Sequence, residues 1–147
     1  MFRTLSVSAM VIAGLAFASS AAWAGPKVVS GPGANPACFK PWNDKPKYLQ
    51  WDKKAGPYRV AIVNGFVGNT WRIQMIKTAK AYAEQAGVKE KIKEFKVIST
   101  GTDVAAQLGA MEDFINQGYD AIVTIAVSPE GFDRVIRLAD KNNVVVV

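Results

Sequence analysis

Residues 58–87 read YRVAIVNGFVGNTWRIQMIKTAKAYAEQAG and carry the clearest structural signal in the chain. Residues 59–63 are apolar and β-branched, as is typical of a short strand buried on both faces. Asn69 is a residue type that caps helices, and Gly87 is one that ends them. Between them the apolar residues recur every three or four positions, at Trp71, Met75, Ala79, Tyr82 and Ala86. The stretch therefore predicts a buried strand followed by an amphipathic helix.

The same alternation of strand and helix continues to residue 147. Further strands are predicted at residues 95–99, 121–125 and 144–147. A second helix is capped by Thr102 or Asp103 and ends at Gly118, and a third begins at the Ser-Pro-Glu sequence of residues 128–130. Strands that alternate with helices of this length form right-handed crossovers and a parallel sheet. Residues 58–147 are therefore predicted to form a Rossmann-like, three-layer α/β fold with a parallel sheet.

Two segments precede this predicted fold. Residues 1–24 combine Arg3, an apolar stretch at residues 5–18 and the small-x-small sequence of residues 22–24, so they predict a secretory signal peptide cleaved after Ala24. The apolar stretch is shorter than the roughly 20 residues that span a bilayer. Residues 25–57 are rich in proline, glycine and aromatic residues and show no helical or alternating pattern. They predict an extension that lies against the domain surface.

The composition excludes several classes of protein. Half of the 147 residues are hydrophobic, which excludes a disordered tail, and the single Cys38 excludes a disulfide framework. Because the chain has no histidine, it has neither a Ser-His-Asp triad nor a His-ligated zinc site. No metal site and no cofactor is predicted. The formal net charge is +6, but lysines alternate with glutamates along residues 77–96, so a solvated surface is predicted rather than a nucleic-acid interface.

Two functions that use this kind of sheet are disfavoured by the residues after the strands. Gly65 and Gly68 follow the first strand, but the G-x-G-x-x-G spacing of dinucleotide-binding folds is absent, and no Gly-Lys-Ser/Thr sequence marks a P-loop. A receiver domain of two-component signalling needs carboxylates at the ends of strands one and three. Those ends carry Asn64 and Ala126.

Ligands of parallel sheets bind outside the carboxyl ends of the strands, where this chain has polar and aromatic residues. Phe66, Asn69, Trp71 and Arg72 follow the first strand, and Asp103 follows the second. Aromatic rings can cover the C–H face of a sugar, while amide, carboxylate and guanidinium groups bind its hydroxyls. The alternative is that these residues have structural roles only. Asn69 and Asp103 would be helix caps, Trp71 a core residue and Arg72 a surface residue. For any single residue, this structural explanation accounts for the sequence at least as well as ligand binding. The convergence of all five on one edge favours a binding site.

At these residues the chain resembles the type I periplasmic binding proteins that serve as sugar receptors of ABC transporters, the ribose-binding group in particular. The resemblance spans residues 58–147. VAIV at residues 60–63 and GNTW at residues 68–71 are similar to the family's first strand and its Asn-x-aromatic loop. Residues 103–108 and 111–115 are similar to its second helix. GYDAIV at residues 118–123, followed by Ser128 and Pro129, is the most specific part.

The resemblance implies two Rossmann-like lobes that close on a monosaccharide or a similar solute, with residues 58–147 forming an incomplete N-terminal lobe. Asn69 would hydrogen-bond sugar hydroxyls, Trp71 would stack on the ring, and Asp103 would bind a second hydroxyl pair. Ribose binders commonly have a second aromatic residue where this chain has Arg72, which would add a bidentate hydroxyl contact. Phe66 completes the predicted ligand-binding set.

The resemblance further implies a non-enzymatic periplasmic protein that delivers its solute to ABC permease subunits in the inner membrane and is monomeric at full length. As a truncated lobe, the chain is expected to bind sugar weakly or not at all. Cys38 is either free or paired with a cysteine elsewhere. Two alternatives remain open, a periplasmic sensor module of the same fold and an enzyme with a Rossmann-like domain. The residues do not identify the solute.

Overall fold

The structure, a computed structural model, describes residues 26–30 and 47–147. The predicted signal peptide of residues 1–24 and Cys38 lie outside the described residues. In the described part no helix is both long enough and apolar enough to cross a membrane. The strands and helices are β1 (Lys27–Ser30), β2 (Lys47–Gln50), β3 (Tyr58–Asn64), α1 (Thr70–Ala83), β4 (Ile92–Ser99), α2 (Val104–Asn116), β5 (Ala121–Ile125), α3 (Phe132–Lys141) and β6 (Val145–Val146). A short 3₁₀ turn at Lys89–Lys91 lies between α1 and β4.

Four of the strands form one parallel sheet in the order β4-β3-β5-β6. β3 is central and pairs with β4 on one side and β5 on the other. At its carboxyl end, Asn64 lies opposite both Ser99 of β4 and Ile125 of β5. Because consecutive parallel strands need a crossover, a helix follows each of β3, β4 and β5. The predicted α/β fold with a parallel sheet is confirmed.

Side chains of β3 alternate between two covered faces of the sheet. Ala61 and Val63 are fully buried in a core with α2 and α3, to which Met111 and Val135 belong. The side chain of Asn64 points to the other face, where it contacts α1. The sheet therefore lies between two helical layers, as predicted.

α1 packs on the sheet through a different stripe from the predicted one. Ala83 is its buried residue and Ile76 is partly buried, whereas Trp71 and Tyr82 are 63% and 59% exposed. The helix also ends before Ala86. The prediction was wrong at Trp71, Tyr82 and Ala86, because helical spacing identifies residues on one face but does not show which face meets the sheet.

α3 begins three residues later than the Ser-Pro-Glu sequence predicts. The hydroxyl of Ser128 accepts a hydrogen bond from the backbone N–H of Glu130 at 3.2 Å, which closes a local turn instead of a helix cap. The N-cap position is Gly131, whose φ of 85° lies in the left-handed region that glycine tolerates best. The predicted cap at Ser128 was therefore wrong.

The extension contains regular structure that its local sequence did not predict. β1 and β2 pair as antiparallel strands, with Val28 opposite Leu49. These two segments are 16 residues apart in sequence, and pairing over that distance leaves no local periodic signal. The prediction of an irregular extension is corrected to this extent.

The end of the extension contacts the α/β domain, in line with the prediction for this segment. Nζ of Lys54 lies 3.3 Å from Oδ1 of Asp120, and the Tyr58 hydroxyl donates to the backbone oxygen of Lys54 at 2.8 Å. Oδ2 of Asp120 accepts from the backbone N–H of Arg59 at 2.8 Å. One carboxylate thus joins the extension, the start of β3 and the residue that precedes β5. Phe39 and Trp42 of the extension lie outside the described residues.

An ionic cluster occupies the sheet end opposite the carboxyl ends of the strands. Glu94 lies 2.8 Å from Nε of Arg59 and 2.8 Å from Nζ of Lys96. The Arg59 guanidinium also lies 4.2 Å from the ring centre of Tyr119. The hydrogen bonds from Lys96 and then Arg59 lower the pKa of Glu94 from its ordinary value of 4.5 to about 2.

A carboxylate with a depressed pKa stabilises the folded state above its unfolded pKa, and this contribution disappears as the pH falls through the folded pKa. We therefore expect Glu94→Gln to lower the melting temperature at pH 7. The difference from the unsubstituted chain should shrink between about pH 4.5 and pH 2. Thermal unfolding followed by circular dichroism measures both. Glu90→Gln is the control, since Glu90 makes no ion pair within the described residues. A pH-independent deficit for Glu94→Gln would contradict the assignment.

Candidate functional site

The carboxyl ends of β3 and β5 border a pocket of about 250 Å³. Three segments meet there: the loop from β3 to α1, the loop from β4 to α2, and the loop after β5. The parallel pairing brings them together, because Asn64, Ser99 and Ile125 are in register. The lining residues are Gly65, Phe66, Arg72, Thr102, Ile125, Ala126 and Val127.

The side chain of Asn64 holds Arg72, one of the residues that line the pocket, in place. Its side chain is fully buried, and the amide nitrogen contacts the backbone oxygens of Gly65 and Phe66 at 3.2 and 3.4 Å and the hydroxyl of Ser99 at 3.4 Å. Its amide oxygen accepts a 2.6 Å hydrogen bond from Nη1 of Arg72. A buried amide with this many partners is held in one orientation. Asn64 therefore orients the Arg72 guanidinium at the pocket wall.

Gln107 of α2 holds Val127, another residue that lines the pocket. It is fully buried, and its amide nitrogen donates to the backbone oxygens of Val63 and Ile125 at 3.3 and 3.0 Å. Its amide oxygen accepts from the backbone N–H of Val127 at 2.8 Å. The hydroxyl of Thr124 lies 3.3 Å from the same amide nitrogen and donates to the oxygen of Val63 at 2.9 Å. One side chain thus ties α2 to the ends of β3 and β5 and to the loop that lines the pocket.

Two glycines allow the walls to approach one another. A Cβ atom on Gly65 would lie 2.4 Å from Cγ2 of Val127, so a side chain there would push the two loops apart. A Cβ on Gly68 would lie 1.7 Å from Cζ of Phe66, because the ring lies directly over this glycine. Phe66 itself is 53% exposed. The result is an accessible aromatic ring beside a narrow junction of two loops.

The predicted site residues fall into two groups. Phe66 and Arg72 line the pocket, whereas Asn69, Trp71 and Asp103 do not. Asn69 caps α1, with Oδ1 accepting from the backbone N–H of Arg72 at 2.9 Å, and Asp103 caps α2, with Oδ1 accepting from the N–H of Ala106 at 2.9 Å. The helix caps expected at these two positions are confirmed, and their contacts with a ligand stay a prediction.

Trp71 lies apart from the pocket on the exposed flank of α1. It borders a shallow apolar groove that also includes Met75 and Tyr82. Its indole ring centre is 5.7 Å from the Arg72 guanidinium, a distance compatible with a cation–π contact. The stacking role predicted for Trp71 therefore stays a prediction.

Sequence reasoning missed Asn64, Gln107 and Thr102. Gln107 stands three residues after Val104 and four before Met111, so it is a polar residue within the apolar stripe of α2. Asn64 follows the apolar residues 60–63 at the buried end of β3. Buried polar side chains are almost always hydrogen-bonded, so such interruptions indicate a specific partner. Their partners are backbone atoms of other strands and loops, which a local pattern does not identify.

The arrangement offers a small ligand several kinds of contact. Phe66 presents an apolar face, Arg72 a guanidinium, Thr102 a hydroxyl, and residues 125–127 their backbone. α1 and α2 both begin at this edge, so the positive ends of their dipoles point toward it. Among the residues that the structure describes, no group of three potential metal ligands occurs. The groups present can hydrogen-bond a ligand and cover it with an aromatic surface.

Comparison with known proteins identifies the family of the segment that contains this pocket. The family described as "Periplasmic binding protein domain" matches residues 60–147, which is more than half of the chain. The chain belongs to the periplasmic binding protein family. The match starts within β3 and includes α1, α2, α3 and the pocket described above.

Solved structures of this family share the fold of the matched segment. An ABC transporter solute binding protein from Thermobispora bispora DSM 43833 is 30% identical, with a TM-score of 0.56 over 60% of this chain and 28% of that protein. One from Burkholderia multivorans is 28% identical, with a TM-score of 0.50 over 63% of this chain and 32% of that protein. A third, from Actinobacillus succinogenes 130z, is 19% identical with a TM-score of 0.50 over 60% and 30% of the two chains, and shows only that the fold is shared. The chain therefore spans about a third of the length of these proteins.

Replacing Gln107 tests whether its side chain holds the loop at Val127 in place. Gln107→Leu keeps similar bulk but leaves the N–H of Val127 and the oxygen of Ile125 without their partner. Because an unsatisfied buried polar group costs about 1–3 kcal/mol, we expect the free energy of unfolding to fall by about that amount. Hydrogen exchange should show a loss of protection at the Val127 amide in particular.

Met111→Leu is the matched control for this substitution. Met111 is fully buried on the same helix, and a volume-conserving exchange there disturbs packing without touching the loop. Protection of the Val127 amide should survive in Met111→Leu. Equal loss in both variants, or none in Gln107→Leu, would show that Gln107 does not hold the loop.

Proposed function

We propose that this chain is the solute-binding component of an ABC importer and captures a monosaccharide-like sugar in the periplasm. The observation that carries the proposal is the pocket at the carboxyl ends of β3 and β5, inside the segment that matches the periplasmic binding protein family. The protein would bind its solute reversibly, without chemical change, and deliver it to permease subunits in the inner membrane.

The composition of the pocket suits a small hydroxylated ring. A sugar buries hydroxyl groups that each need a partner, since an unpaired buried polar group costs about 1–3 kcal/mol. Arg72, Thr102 and the backbone of residues 125–127 supply donors and acceptors, while the exposed ring of Phe66 can cover the C–H face. The volume of about 250 Å³ lies just below the roughly 300–1,000 Å³ of common small-molecule sites, which favours a small ligand such as a single sugar unit over a polymer chain.

The comparisons supply independent support for a sugar. The Burkholderia multivorans structure, 28% identical to this chain, contains an unknown ligand represented as alpha-D-erythrofuranose, which is a sugar. A related pocket in this chain would accept a ligand of the same class.

Asn69, Trp71 and Asp103 are proposed to act at the rim of the site. The amide nitrogen of Asn69 makes no hydrogen bond within the described residues, and only Oδ1 of Asp103 is engaged there. Each side chain could therefore cap its helix and also bind a hydroxyl. Trp71 is 63% exposed and would have to meet the ring from the flank of α1. Because the described residues line the pocket along the carboxyl edge of the sheet only, we propose that the chain alone binds its solute weakly.

Titration of the ¹⁵N-labelled 147-residue chain with D-ribose, D-glucose and D-galactose tests the proposal. At least one sugar should shift the amide resonances of Gly65, Phe66, Thr102 and Val127 in a saturable manner, in the millimolar range expected for a one-sided site. Phe66→Ala should weaken that binding about fivefold or more, because the aromatic surface is lost.

Tyr82→Ala is the control for the loss of an exposed aromatic residue. Tyr82 is 59% exposed and lies near the end of α1 opposite the pocket, so its removal should leave the sugar affinity unchanged. If no sugar, neutral or acidic, shifted the pocket amides at any concentration up to solubility, or if shifts clustered around Tyr82 instead, the proposed site would be wrong.

A further inference from the structure

Among the described residues that line the pocket, Arg72 is the only charged one. Its guanidinium is partly buried, and Nη1 donates to Oδ1 of Asn64 at 2.6 Å. Asn64 is fully buried and held by three further contacts, so the guanidinium is oriented before any ligand arrives. Asn64 is a neutral amide, which satisfies one donor of Arg72 but does not compensate its charge.

No carboxylate of the described residues performs that compensation. Among residues 26–30 and 47–147, no acidic oxygen lies within 4.0 Å of the Arg72 guanidinium, whereas Arg59 and Arg134 each have a glutamate partner. Asp103 is the acidic residue of the predicted site, and its Oδ1 accepts from the N–H of Ala106. The Trp71 ring centre lies 5.7 Å from the guanidinium and is a weaker partner for its charge than a carboxylate. Arg72 thus combines a fixed orientation, partial burial and a positive charge without a carboxylate partner.

A bound ligand would cover this charge, and covering an unpaired charge is unfavourable unless the ligand supplies its partner. A carboxylate matches the planar fork of a guanidinium and accepts two parallel hydrogen bonds from it. Unlike a neutral hydroxyl, it also neutralises the positive charge. We infer that the preferred ligand is an acidic sugar, whose carboxylate pairs with Arg72. This inference rests on the proposed function, since it names the class of sugar that the same pocket selects.

Matched pairs of ligands test the inference on the 147-residue chain. D-Glucuronate and D-glucose differ only in a carboxylate at C6, as do D-galacturonate and D-galactose. In ¹⁵N titrations that follow the Phe66 and Val127 amides, we expect at least one uronate to bind about tenfold more tightly than its neutral partner. The ratio of the two affinities should fall as sodium chloride is raised, because the pair is partly exposed.

Substitutions assign the preference to Arg72. In Arg72→Gln the ratio should fall to about one. In Arg72→Lys, which keeps the charge but not the fork, it should be intermediate. Arg137→Gln is the control for net charge, since Arg137 is an exposed residue of α3 outside the pocket, and it should keep the full ratio. Amide spectra establish whether each variant is folded. If Arg72→Gln does not fold, the affinity ratio of Arg72→Lys alone tests the inference.

The results of these titrations distinguish failure of the inference from failure of the proposed function. Neutral sugars that bind as tightly as both uronates would overturn the inference and leave the proposed function intact. A preference for uronates that persists in Arg72→Gln and is undiminished in Arg72→Lys would also overturn it. Failure of all four ligands to shift the pocket amides would overturn the proposed function along with the inference.

Discussion

The parallel register of β3 with both of its neighbours is the constraint on which the rest of the structure depends. Asn64 lies opposite Ser99 and Ile125, so the three strands end at the same level and their loops emerge side by side. A shift of one residue along β3 would exchange its two faces, moving Ala61 and Val63 out of the core and Asn64 away from α1. The hydrophobic core therefore specifies the pocket indirectly, because it fixes which loops meet.

Two buried amides convert that register into a defined pocket. Gln107 connects α2 to the ends of β3 and β5, and Asn64 connects the first loop to α1 through Arg72. Each amide has several partners, so the cost of burying it is offset and only one arrangement satisfies all of them. Apolar side chains of similar size would fill the same space but would not select one position for the loop at Val127.

The pocket differs in charge from the opposite end of the sheet. There, Lys96 and Arg59 both pair with Glu94, and their hydrogen bonds lower the pKa of its carboxyl to about 2. At the pocket, the described residues give Arg72 no carboxylate partner, but the neutral amide of Asn64 and the Trp71 ring, whose centre lies 5.7 Å away. An ion pair that is complete within the domain stabilises the fold, whereas a charge that lacks its partner is suited to meet a ligand. The same residue type thus has different roles at the two ends of β3.

Much of the fold was determined by local sequence. The apolar run of β3, the caps Asn69 and Asp103 and the glycine at 118 act within a few residues of one another, so their consequences could be predicted without tertiary contacts. The same patterns placed Phe66 and Arg72 at the carboxyl edge of the sheet, and the structure finds both in the pocket wall.

What tertiary structure alone decided depends on distant partners. The pairing of β1 with β2, the face of α1 that meets the sheet and the contacts of Gln107 each join residues whose separation in the chain carries no periodic signal. The start of α3 belongs with them, because the hydroxyl of Ser128 could close a turn or cap a helix, and only the packed chain selects between the two.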